Sequence, residues 1–372
     1  MSDPPRAPVM ALEISTMGER FHTGLANVTK ALAKEMLGDA SIEPHFFFSR
    51  QALPRALVER LVQTDGSEIL WWAAARTAMA VDFDYDPNRK TIGVFPGNKR
   101  HRRLFPTEVL IAYDLTTLVT PQFHTTEAIE WWQAHLLADI LSSDLVVAIS
   151  EATRQDIRTY YPQASAIPCI AVPLAPCTGP VAPLPPGVSI RPYVLVLGTL
   201  EPRKDVEAVF RCLADQPGLL AQADFVFAGR WGWGPSAQEL IVRYHLTDAR
   251  AAGRIRFVGF VSDQVRDHLL AAARCVVYPS RYEGFGLPVA EALSLGTPVI
   301  TSYSTSLPEV GGDVAIYCDT SSPAALAQAL AQVLRAGATD PAFVRAAKTW
   351  SAAFTWPRTY QRIRDAALDA AA

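Results

Sequence analysis

Short apolar runs alternate with amphipathic stretches along the whole chain. In the first half, the runs at 9–15, 108–114 and 144–150 predict strands, and 23–37 predicts a helix because its apolar residues recur at helical spacing. Ser150 stands where an N-cap would open the helix that follows. Apolar strands that alternate with helices are typical of parallel sheets buried on both faces.

The same alternation restarts in the second half. Its predicted strands are 193–198, 224–229, 254–260, 274–280 and 297–301. Between the halves, 172–192 is rich in proline and poor in charge, which excludes a helix or a central strand and favours an interdomain connection. The alternative is a long surface loop inside one domain. We therefore predict an α/β protein with two Rossmann-like, doubly wound domains, at 1–175 and 193–354, joined by a linker at 176–192.

Composition narrows the class of protein. The 372 residues are 49% hydrophobic and 19% charged, with a net charge of -3, which is typical of a soluble globular protein and not of a dedicated nucleic-acid binder. Five scattered cysteines without a CxxC pair favour reduced thiols over disulfides or a zinc site. The chain shows neither a secretion signal nor a long apolar span, so we expect a cytoplasmic protein.

The first candidate anion site is the stretch "VLGTLEPRKDVEAVF". Pro202 marks the first turn of a predicted helix, and Arg203 and Lys204 fall in that turn. Cations are unfavourable at this end of a helix unless an anion binds there, and together with free backbone N–H groups they would suit a diphosphate. The alternative is a solvated basic turn paired with Glu201 or Asp205.

The second candidate is "SRYEGFGLPVAEALSLGTPVI". Gly284 and Gly286 allow the backbone to approach a ligand closely, and the following helix offers N–H donors. Glu291 lies one turn inside that helix, where it could accept hydrogen bonds from ribose hydroxyls. Glu283 precedes the turn, and we expect it at the rim, within reach of sugar hydroxyls. Alternatively, Glu291 only complements the helix dipole and Glu283 is a surface acid.

Two further strand ends are weaker candidates. "FAGRWGWG" places Arg230, and "FVGFVSD" places Val258, after strands at the same predicted edge. Backbone there could contact a nucleobase, although a strand that runs into a loop is also routine in a core.

Together these stretches resemble the retaining glycosyltransferases of family 4, which have the GT-B architecture of two Rossmann-like domains facing across a cleft. The specific segments are "GTLEPRKD", "FVGFVSD", "YPSRYEGFGLPVAEALSLGTPVITS" and "LPEVGGDVAIYCD". The closing "FTWPRTYQRI" is similar to the segment where the family's last helix, here about 355–372, packs back onto the first domain.

The resemblance implies a role for each matched residue. Arg203 and Lys204 would hold the donor diphosphate, Glu283 the donor sugar and Glu291 the ribose. The rest of the implied donor-binding set is Gly24, Thr199, Arg230, Val258, Gly284, Phe285, Gly286 and Leu287.

Departures from the family pattern add candidates. Thr199 stands where an Arg is frequent, so Arg203 and Lys204 would carry more of the phosphate charge. Tyr113-Asp114 replaces a frequent His-Asp pair, which leaves Asp114 or His124 to substitute, although a lone His is more often structural. The catalytic candidates are therefore Glu283, Arg203, Lys204, Asp114, Tyr113 and His124.

The implied activity is metal-independent, cofactor-free transfer of a hexose from a nucleotide sugar. GDP-mannose is the expected donor, with UDP-hexoses next, and the acceptor is a glycan or a polyprenyl-linked glycan in polysaccharide or lipopolysaccharide assembly; no nucleic acid is expected. The basic run 98–103 supports the hypothesis of a peripheral contact with the cytoplasmic face of the inner membrane, with a solvated loop as its alternative.

Three rival functions follow from the same pattern. A nucleotide-sugar 2-epimerase would need more acid–base groups in the first half than the sequence offers. A non-catalytic GT-B scaffold or glycan-binding protein would explain Tyr113, but not the retained cations and acids. A dehydrogenase is disfavoured because no GxGxxG follows an opening strand.

Overall fold

The described residues form two largely parallel sheets, one in each of two compact units. The structure is a computed structural model that describes residues 6–18, 24–63, 89–181, 191–337 and 339–372. Unit 1 consists of Met1–Cys177 together with Phe354–Ala372, and unit 2 is Thr178–Ala353. The last segment of the chain therefore belongs to the same unit as the first.

Unit 1 is built on seven strands among its described residues. They are β1 (Val9–Glu13), β2 (Glu43–Phe48), β3 (Gln51–Leu53), β4 (Thr91–Pro96), β5 (Thr107–Ala112), β6 (Leu145–Ala148) and β7 (Cys169–Ala171). Their order in the sheet is β3-β2-β1-β4-β5-β6-β7. β2 and β3 form an antiparallel hairpin, and all the other neighbours are parallel.

Unit 2 has a six-stranded sheet among its described residues. Its strands are β8 (Tyr193–Leu197), β9 (Asp224–Ala228), β10 (Ile255–Gly259), β11 (Cys275–Tyr278), β12 (Val299–Thr301) and β13 (Ile316–Tyr317). The order is β10-β9-β8-β11-β12-β13, and every pairing is parallel. The winding direction reverses between β8 and β11, which is the position where open parallel sheets bind ligands.

Helices connect these strands in both units. The described helices are α1 (Gly24–Gly38), α2 (Arg55–Leu61), α3 (Thr116–Val119), α4 (Thr126–Leu141), α5 (Glu151–Tyr160), α6 (Glu207–Asp215), α7 (Leu219–Gln222), α8 (Ala237–Arg243), α9 (Thr247–Ala251), α10 (Asp263–Ala272), α11 (Leu287–Leu295), α12 (Leu307–Gly311), α13 (Pro323–Arg335), α14 (Pro341–Ser351) and α15 (Trp356–Ala370). α1 to α5 and α15 belong to unit 1, and the others belong to unit 2.

Apolar strand residues and helix faces form the core of each unit. In unit 2, Phe210 of α6 stacks on Phe227 of β9 with ring centroids 5.1 Å apart, and Phe257 continues the stack. In unit 1, Phe47 meets Phe95 edge to face at 5.5 Å. Because each fully buried side chain of this size stabilises the fold by about 1.5–3 kcal/mol, these layers fix the sheets that carry the loops described below.

α15 is held against the chain segment that leaves unit 1. The Trp356 indole N–H donates to the carbonyl of Pro176 at 3.2 Å, and the Thr359 hydroxyl donates to the carbonyl of Pro173 at 2.8 Å. This proline-rich segment lies outside any regular helix or strand. Side chains of α15 therefore satisfy carbonyl groups that no strand neighbour satisfies.

A second contact pins α15 to the end of α1. The Tyr360 hydroxyl donates to Asp39 Oδ2 at 2.8 Å, and Arg364 Nη1 lies 3.0 Å from the same oxygen. Burial alone would raise the pKa of Asp39, but hydrogen bonds from Ser41, Arg364 and Tyr360 hold it at about 2. The Asp39 carboxylate is thus charged in the folded protein at neutral pH.

The predicted fold class of two Rossmann-like α/β domains with parallel sheets is confirmed. The predicted strands and the helix predicted at 23–37 match the observed elements to within about two residues at their ends, whereas the helix predicted to open at Pro202 begins only at Glu207. Ser150 caps α5 as predicted, since its hydroxyl accepts the N–H of Thr153. Within the predicted linker at 176–192, residues 176–181 have no regular element, and 182–190 lie outside the described residues.

Candidate functional site

The strongest concentration of charge in unit 2 lies where β8 and β11 end. The loop after β8 carries Arg203 and Lys204, and the loop after β11 carries Glu283. These are the two strands between which the sheet reverses its winding direction. Side chains more than 70 residues apart in sequence therefore meet at the edge where such sheets bind ligands.

Arg203 and Lys204 do not lie in the first turn of a helix, as the sequence suggested. They lie in a separate 3-10 turn, Pro202–Lys204, which ends at Asp205 in the left-handed conformation (φ 44°), and α6 begins only at Glu207. The N–H of Lys204 donates to the carbonyl of Glu201 at 3.0 Å. The prediction of free N–H groups in a helical first turn was wrong, because the left-handed residue separates the basic turn from the helix.

The basic turn is bound to Glu283 by a compact set of contacts. Lys204 Nζ lies 2.6 Å from Glu283 Oε1, and Arg203 Nη1 lies 3.1 Å from Glu283 Oε2. Arg203 also pairs with Glu201 at 2.8 Å. The Tyr278 hydroxyl donates to Glu283 Oε1 at 2.9 Å and accepts from Lys204 Nζ. We call these five residues the Glu283 cluster.

Burial and charge set the protonation states in the Glu283 cluster. Burial alone would raise the pKa of Glu283, but the charges of Arg203 and Lys204 outweigh it and hold the pKa at about 2. Burial lowers the pKa of Lys204, and the Glu283 carboxylate opposes this change. Burial and the same carboxylate raise the pKa of Tyr278 well above its usual value. At neutral pH, Glu283 is therefore a carboxylate and Tyr278 a neutral phenol.

Glu283 is not the rim residue that the sequence predicted. Only 6% of it is exposed, so the alternative of a surface acid is wrong as well. Glu283 is buried because its ion pairs with Arg203 and Lys204 offset the cost of removing a carboxylate from water. Lys204 has three N–H donors, of which Glu283 and Tyr278 take two. The third can meet a further oxygen atom.

The loop after β12 holds the glycine turn in place. Thr305 Oγ1 accepts the N–H of Glu283 at 2.9 Å and donates to the carbonyl of the same residue at 2.8 Å. The Ser306 hydroxyl lies 2.9 Å from the carbonyls of Glu283 and Phe285. The sequence analysis missed Tyr278, Thr305 and Ser306; the hydroxyl-rich run "TSYSTS" directly after a strand was the available signal.

The turn itself leads into α11 as predicted. Gly286 has φ 103°, and a side chain there would lie 2.8 Å from Leu307, so this position requires glycine on two grounds. Gly284 and Phe285 are buried, Leu287 begins α11 and is half-buried, and the helix ends at Gly296 in the left-handed conformation.

Glu291 lies inside α11 and is 4% exposed. Its Oε1 is 3.7 Å from Nη1 of Arg266 on α10, and Arg266 also pairs with Asp267 at 2.8 Å. The structure therefore places Glu291 near a cation that it shares with Asp267, which the sequence did not predict.

The loops after β8, β9 and β10 are joined through their backbones. The N–H of Gly198 donates to the carbonyl of Ala228, and the N–H of Gly229 donates to the carbonyl of Gly259. Gly229 has φ 136°, and a side chain there would lie 1.9 Å from the carbonyl oxygen of Gly198. This close approach explains the glycine at the end of β9.

Three predicted donor-binding residues line these same loops. Thr199 is half-buried after β8, whereas Arg230 and Val258 are exposed at the ends of β9 and β10. The N–H of Leu200 donates to the carbonyl of Arg230 at 2.9 Å. The structure thus places all three along one edge of the sheet.

In unit 1, Asp114 and His124 belong to one hydrogen-bonded group. Asp114 Oδ1 accepts the N–H of Thr116 at 3.0 Å, and the Thr116 hydroxyl lies 3.0 Å from His124 Nε2. Tyr113 is half-buried directly after β5, and its carbonyl accepts from the Thr153 hydroxyl at 3.1 Å. These three predicted residues therefore share the carboxyl end of β5.

Gly24 is the first residue of α1, which begins within one residue of the helix predicted at 23–37. A side chain placed at Gly97 would lie 3.8 Å from Leu25 and 3.9 Å from Tyr113. The start of α1 and Tyr113 therefore lie close together at the carboxyl edge of the unit 1 sheet.

The basic run 98–103 is largely neutralised within unit 1. Lys99 is buried with its Nζ 2.7 Å from Glu108, Arg102 pairs with Asp139 at 2.7 Å, and Arg103 pairs with Asp144 at 3.0 Å. Arg100 lies over the Phe48 ring at 5.0 Å. Most of these charges stabilise the fold locally, which weakens the argument for a membrane contact from this run.

Two properties of the described ranges bear on metal binding and membrane insertion. No group of three or more His, Cys, Asp or Glu side chains there is arranged to hold a metal ion. Within the same ranges, no helix has the length and apolar character needed to span a bilayer.

Comparison with known proteins adds a family match and relatives. Residues 188–350 match the family model described as glycosyl transferases group 1. The chain is 30% identical over 235 residues to the O-antigen chain mannosyltransferase B of Escherichia coli, covering 60% of each chain. It is 32% identical over 172 residues to the serotype-specific mannosyltransferase WbdA of the same organism, covering 45% of this chain and 20% of that protein. The chain thus spans less than two thirds of the length of either relative.

The fold has close counterparts among solved structures. Sucrose-phosphate synthase from Thermosynechococcus elongatus superposes with a TM-score of 0.64 at 18% identity, over 97% of this chain and 98% of that one. Together with the two parallel sheets, this likeness confirms the predicted GT-B fold class. The family match covers less than half of the chain, and the structural likeness at 18% identity concerns the fold alone.

Proposed function

We propose that this protein is a retaining glycosyltransferase of family 4 that transfers mannose or a related hexose from a nucleotide sugar, with GDP-mannose as the first candidate donor. The acceptor is a glycan or a polyprenyl-linked glycan in surface polysaccharide or lipopolysaccharide assembly. The observation that carries the proposal is the Glu283 cluster, which places two partly buried cations at the switch point of the unit that matches the family model. The printed names of the two Escherichia coli relatives support mannose as the sugar.

The chemistry follows from the charges at this edge. Negative charge grows on the diphosphate as the anomeric bond breaks, and preorganised donors stabilise such charge by about 3 kcal/mol each. The third N–H of Lys204, the Arg203 guanidinium and the N-terminus of α11 are the donors we assign to the diphosphate. These cations perform the work that Mg²⁺ performs in other transferases, so the proposed reaction needs no metal.

Glu283 contacts the donor sugar in this proposal but transfers no proton. With its pKa held at about 2, it stays ionised at neutral pH and accepts hydrogen bonds from sugar hydroxyls. In the mechanism that the family resemblance implies, the acceptor hydroxyl attacks from the face of the leaving group, and a phosphate oxygen takes its proton. No protein nucleophile is needed.

The remaining roles stay predictions from the family resemblance. Glu291 is assigned to the ribose and the 284–286 backbone to the sugar and phosphates. Thr199, Arg230 and Val258 are assigned to the rest of the donor. In unit 1, the predicted donor-binding residue is Gly24. The catalytic candidates predicted there from the sequence are Tyr113, Asp114 and His124.

The test is a panel of nucleotide sugars, including GDP-mannose, UDP-glucose and UDP-N-acetylglucosamine, with thermal shift and release of nucleoside diphosphate as readouts. We expect GDP-mannose to raise the Tm and to be hydrolysed slowly without acceptor, and EDTA to leave the rate unchanged. Failure of every nucleotide to raise the Tm would overturn the proposal. Binding without turnover, with mannoside acceptors supplied, would favour the non-catalytic scaffold. A rate abolished by EDTA would overturn the metal-free mechanism alone.

A lipid-linked acceptor would bring the protein to the cytoplasmic face of the inner membrane. Among the basic residues at 98–103, Arg100 is exposed and is the first one to test. In liposome co-sedimentation with anionic vesicles, equal binding by wild type and Arg100→Ser would remove this run from the proposal.

A further inference from the structure

Tyr303 presents an aromatic ring to solvent on the loop after β12. It is 69% exposed, and among the large hydrophobic side chains of the described residues the next most exposed is Val242 at 57%. A single exposed apolar side chain needs no explanation in itself, so the significance of Tyr303 depends on how its ring is held.

The ring is held in a fixed orientation. It stacks on Tyr317 with centroids 4.9 Å apart and an angle of 24° between the planes. The Tyr317 hydroxyl donates to the carbonyl of Gly312 at 3.0 Å, which fixes the supporting ring. One face of Tyr303 is therefore covered, and the opposite face forms a flat apolar surface open to a ligand.

The loop that carries Tyr303 is anchored to the Glu283 turn on both sides. Ser302 donates to the carbonyl of Ser280 at 2.6 Å, and Thr305 bonds to both backbone groups of Glu283. Tyr303 is two residues from Thr305, so their Cα atoms are at most about 7 Å apart. The loop that carries the exposed ring is thus bonded to the backbone of Glu283 at the carboxyl edge of the sheet.

This combination matches the chemistry of a sugar ring. A pyranose has an apolar face of C–H groups, which packs on an aromatic ring, and hydroxyls around its edge, which donate to a carboxylate. Tyr303 follows β12, whereas Arg230 and Val258 follow β9 and β10 on the other side of the switch point. A nucleotide sugar whose base lies over β9 and β10, with its diphosphate at the switch point, extends its sugar end toward Tyr303.

We propose that the open face of Tyr303 is a pyranose-binding subsite, with Tyr317 as its support. The assignment of the sugar to the donor or the acceptor rests on the proposed function. The stacking itself does not, because it depends only on a ring of C–H groups meeting an aromatic face.

Saturation-transfer difference NMR tests the subsite directly. The probes are methyl α-D-mannopyranoside, GDP and GDP-mannose, each followed through its own C–H protons. Tyr303→Phe keeps the ring, Tyr303→Leu keeps apolar bulk without an aromatic face, and Tyr303→Ala removes both. Tyr160→Ala, at an exposed tyrosine of unit 1, is the matched control.

We expect mannose-ring signals in wild type, Tyr303→Phe and Tyr160→Ala. In Tyr303→Leu and Tyr303→Ala the sugar should bind about tenfold more weakly, which corresponds to about 1.4 kcal/mol. Guanine signals should not change. If these two variants weaken the binding of methyl mannoside alone, the subsite holds the acceptor sugar. If they weaken only the contact with the mannose of GDP-mannose, the subsite holds the donor sugar.

Other outcomes overturn the subsite. These are no mannose-ring signal in wild type, equal sugar binding by Tyr303→Ala and wild type, or guanine signals that fall in place of mannose signals. If GDP does not bind while methyl mannoside binds in a Tyr303-dependent way, the proposed transferase function fails and the subsite stands.

Discussion

Arg203 and Lys204 lower the pKa of Glu283 to about 2 and so keep it ionised inside a buried site. Arg203 and Lys204 are matched by the carboxylates of Glu201 and Glu283, so the cluster is electrically balanced before any ligand binds. A buried carboxylate left with too little positive charge costs several kcal/mol. Single substitutions in this cluster therefore affect stability as well as ligand binding.

This coupling gives a prediction at the residue scale. Lys204→Met should lower the free energy of unfolding by about 3 kcal/mol because Glu283 loses its closest cation. The double variant Lys204→Met/Glu283→Gln should recover most of that stability, because it no longer buries a Glu283 carboxylate that lacks its closest cation. Neither variant should turn over GDP-mannose. Chemical denaturation and product release measure the two effects, and additive losses of stability in the double variant would mean that the pair does not interact.

Much of this chemistry could be predicted from residue types, but the pairings could not. The cations, glycines and acids stand in recognisable order along the chain, and the resemblance to family 4 rests on that order. That Glu283 is buried depends on side chains 79 and 80 positions earlier, Lys204 and Arg203, which local patterns do not connect. Tyr278 was read only as a strand residue, because its hydroxyl acquires a partner only after the strands have assembled.

At the scale of elements, the ends of β8 and β9 approach each other so closely that only glycine fits at position 229. Gly229→Ala would place a methyl group 1.9 Å from the carbonyl oxygen of Gly198 at a positive φ, and we expect a loss of about 3 kcal/mol or more. Thermal unfolding monitored by circular dichroism measures it.

Gly218→Ala is the matched control. Gly218 precedes α7 with φ -60°, and a side chain there would meet nothing within 4 Å. This substitution should be neutral or stabilise by about 0.4–1 kcal/mol. Equal Tm values for the two variants would contradict the close approach of the two strand ends.

The contact between α1 and α15 makes part of the stability depend on pH. The pKa of Asp39 is about 2 in the folded protein and about 3.9 when unfolded. Its contribution is therefore complete above the unfolded value and is lost as the pH falls through the folded one. Asp39→Asn should lower the free energy of unfolding by about 1–2 kcal/mol at pH 7.

Urea denaturation between pH 7 and pH 2 checks this contact. The difference between wild type and Asp39→Asn should shrink toward pH 2, as the wild-type carboxyl becomes protonated. A constant difference across that range would show that the effect comes from packing and not from the charge.

The positions of the strands were easier to predict than the backbone conformation of the loops that follow them. Alternating apolar runs and helical periodicity identify the strands, because each must bury both faces in a parallel sheet. The 3-10 turn at Pro202–Lys204 was read as part of a helix because Pro202 is compatible with both. The 3-10 turn is separated from α6 by Asp205, whose left-handed conformation is unusual for a residue other than glycine.

At the scale of the whole molecule, α15 completes unit 1 from the far end of the chain. Tyr360, Ile363 and Ala367 of this helix are buried. Removing residues 354–372 should therefore destabilise unit 1 while unit 2 keeps its own core. Thermal unfolding of the truncated chain should show one transition at the original temperature and one lowered or absent. Loss of both transitions would mean that unit 2 cannot stand without unit 1.

The return of α15 also bears on how the protein is made. Domains commonly fold in the order in which the ribosome delivers them. Here unit 2 has all its residues by Ala353, whereas unit 1 lacks its closing helix until about Ala370 has been synthesised. The part of the polypeptide translated first is thus the last to be completed, and its exposed apolar face is a natural place for a chaperone to act during translation.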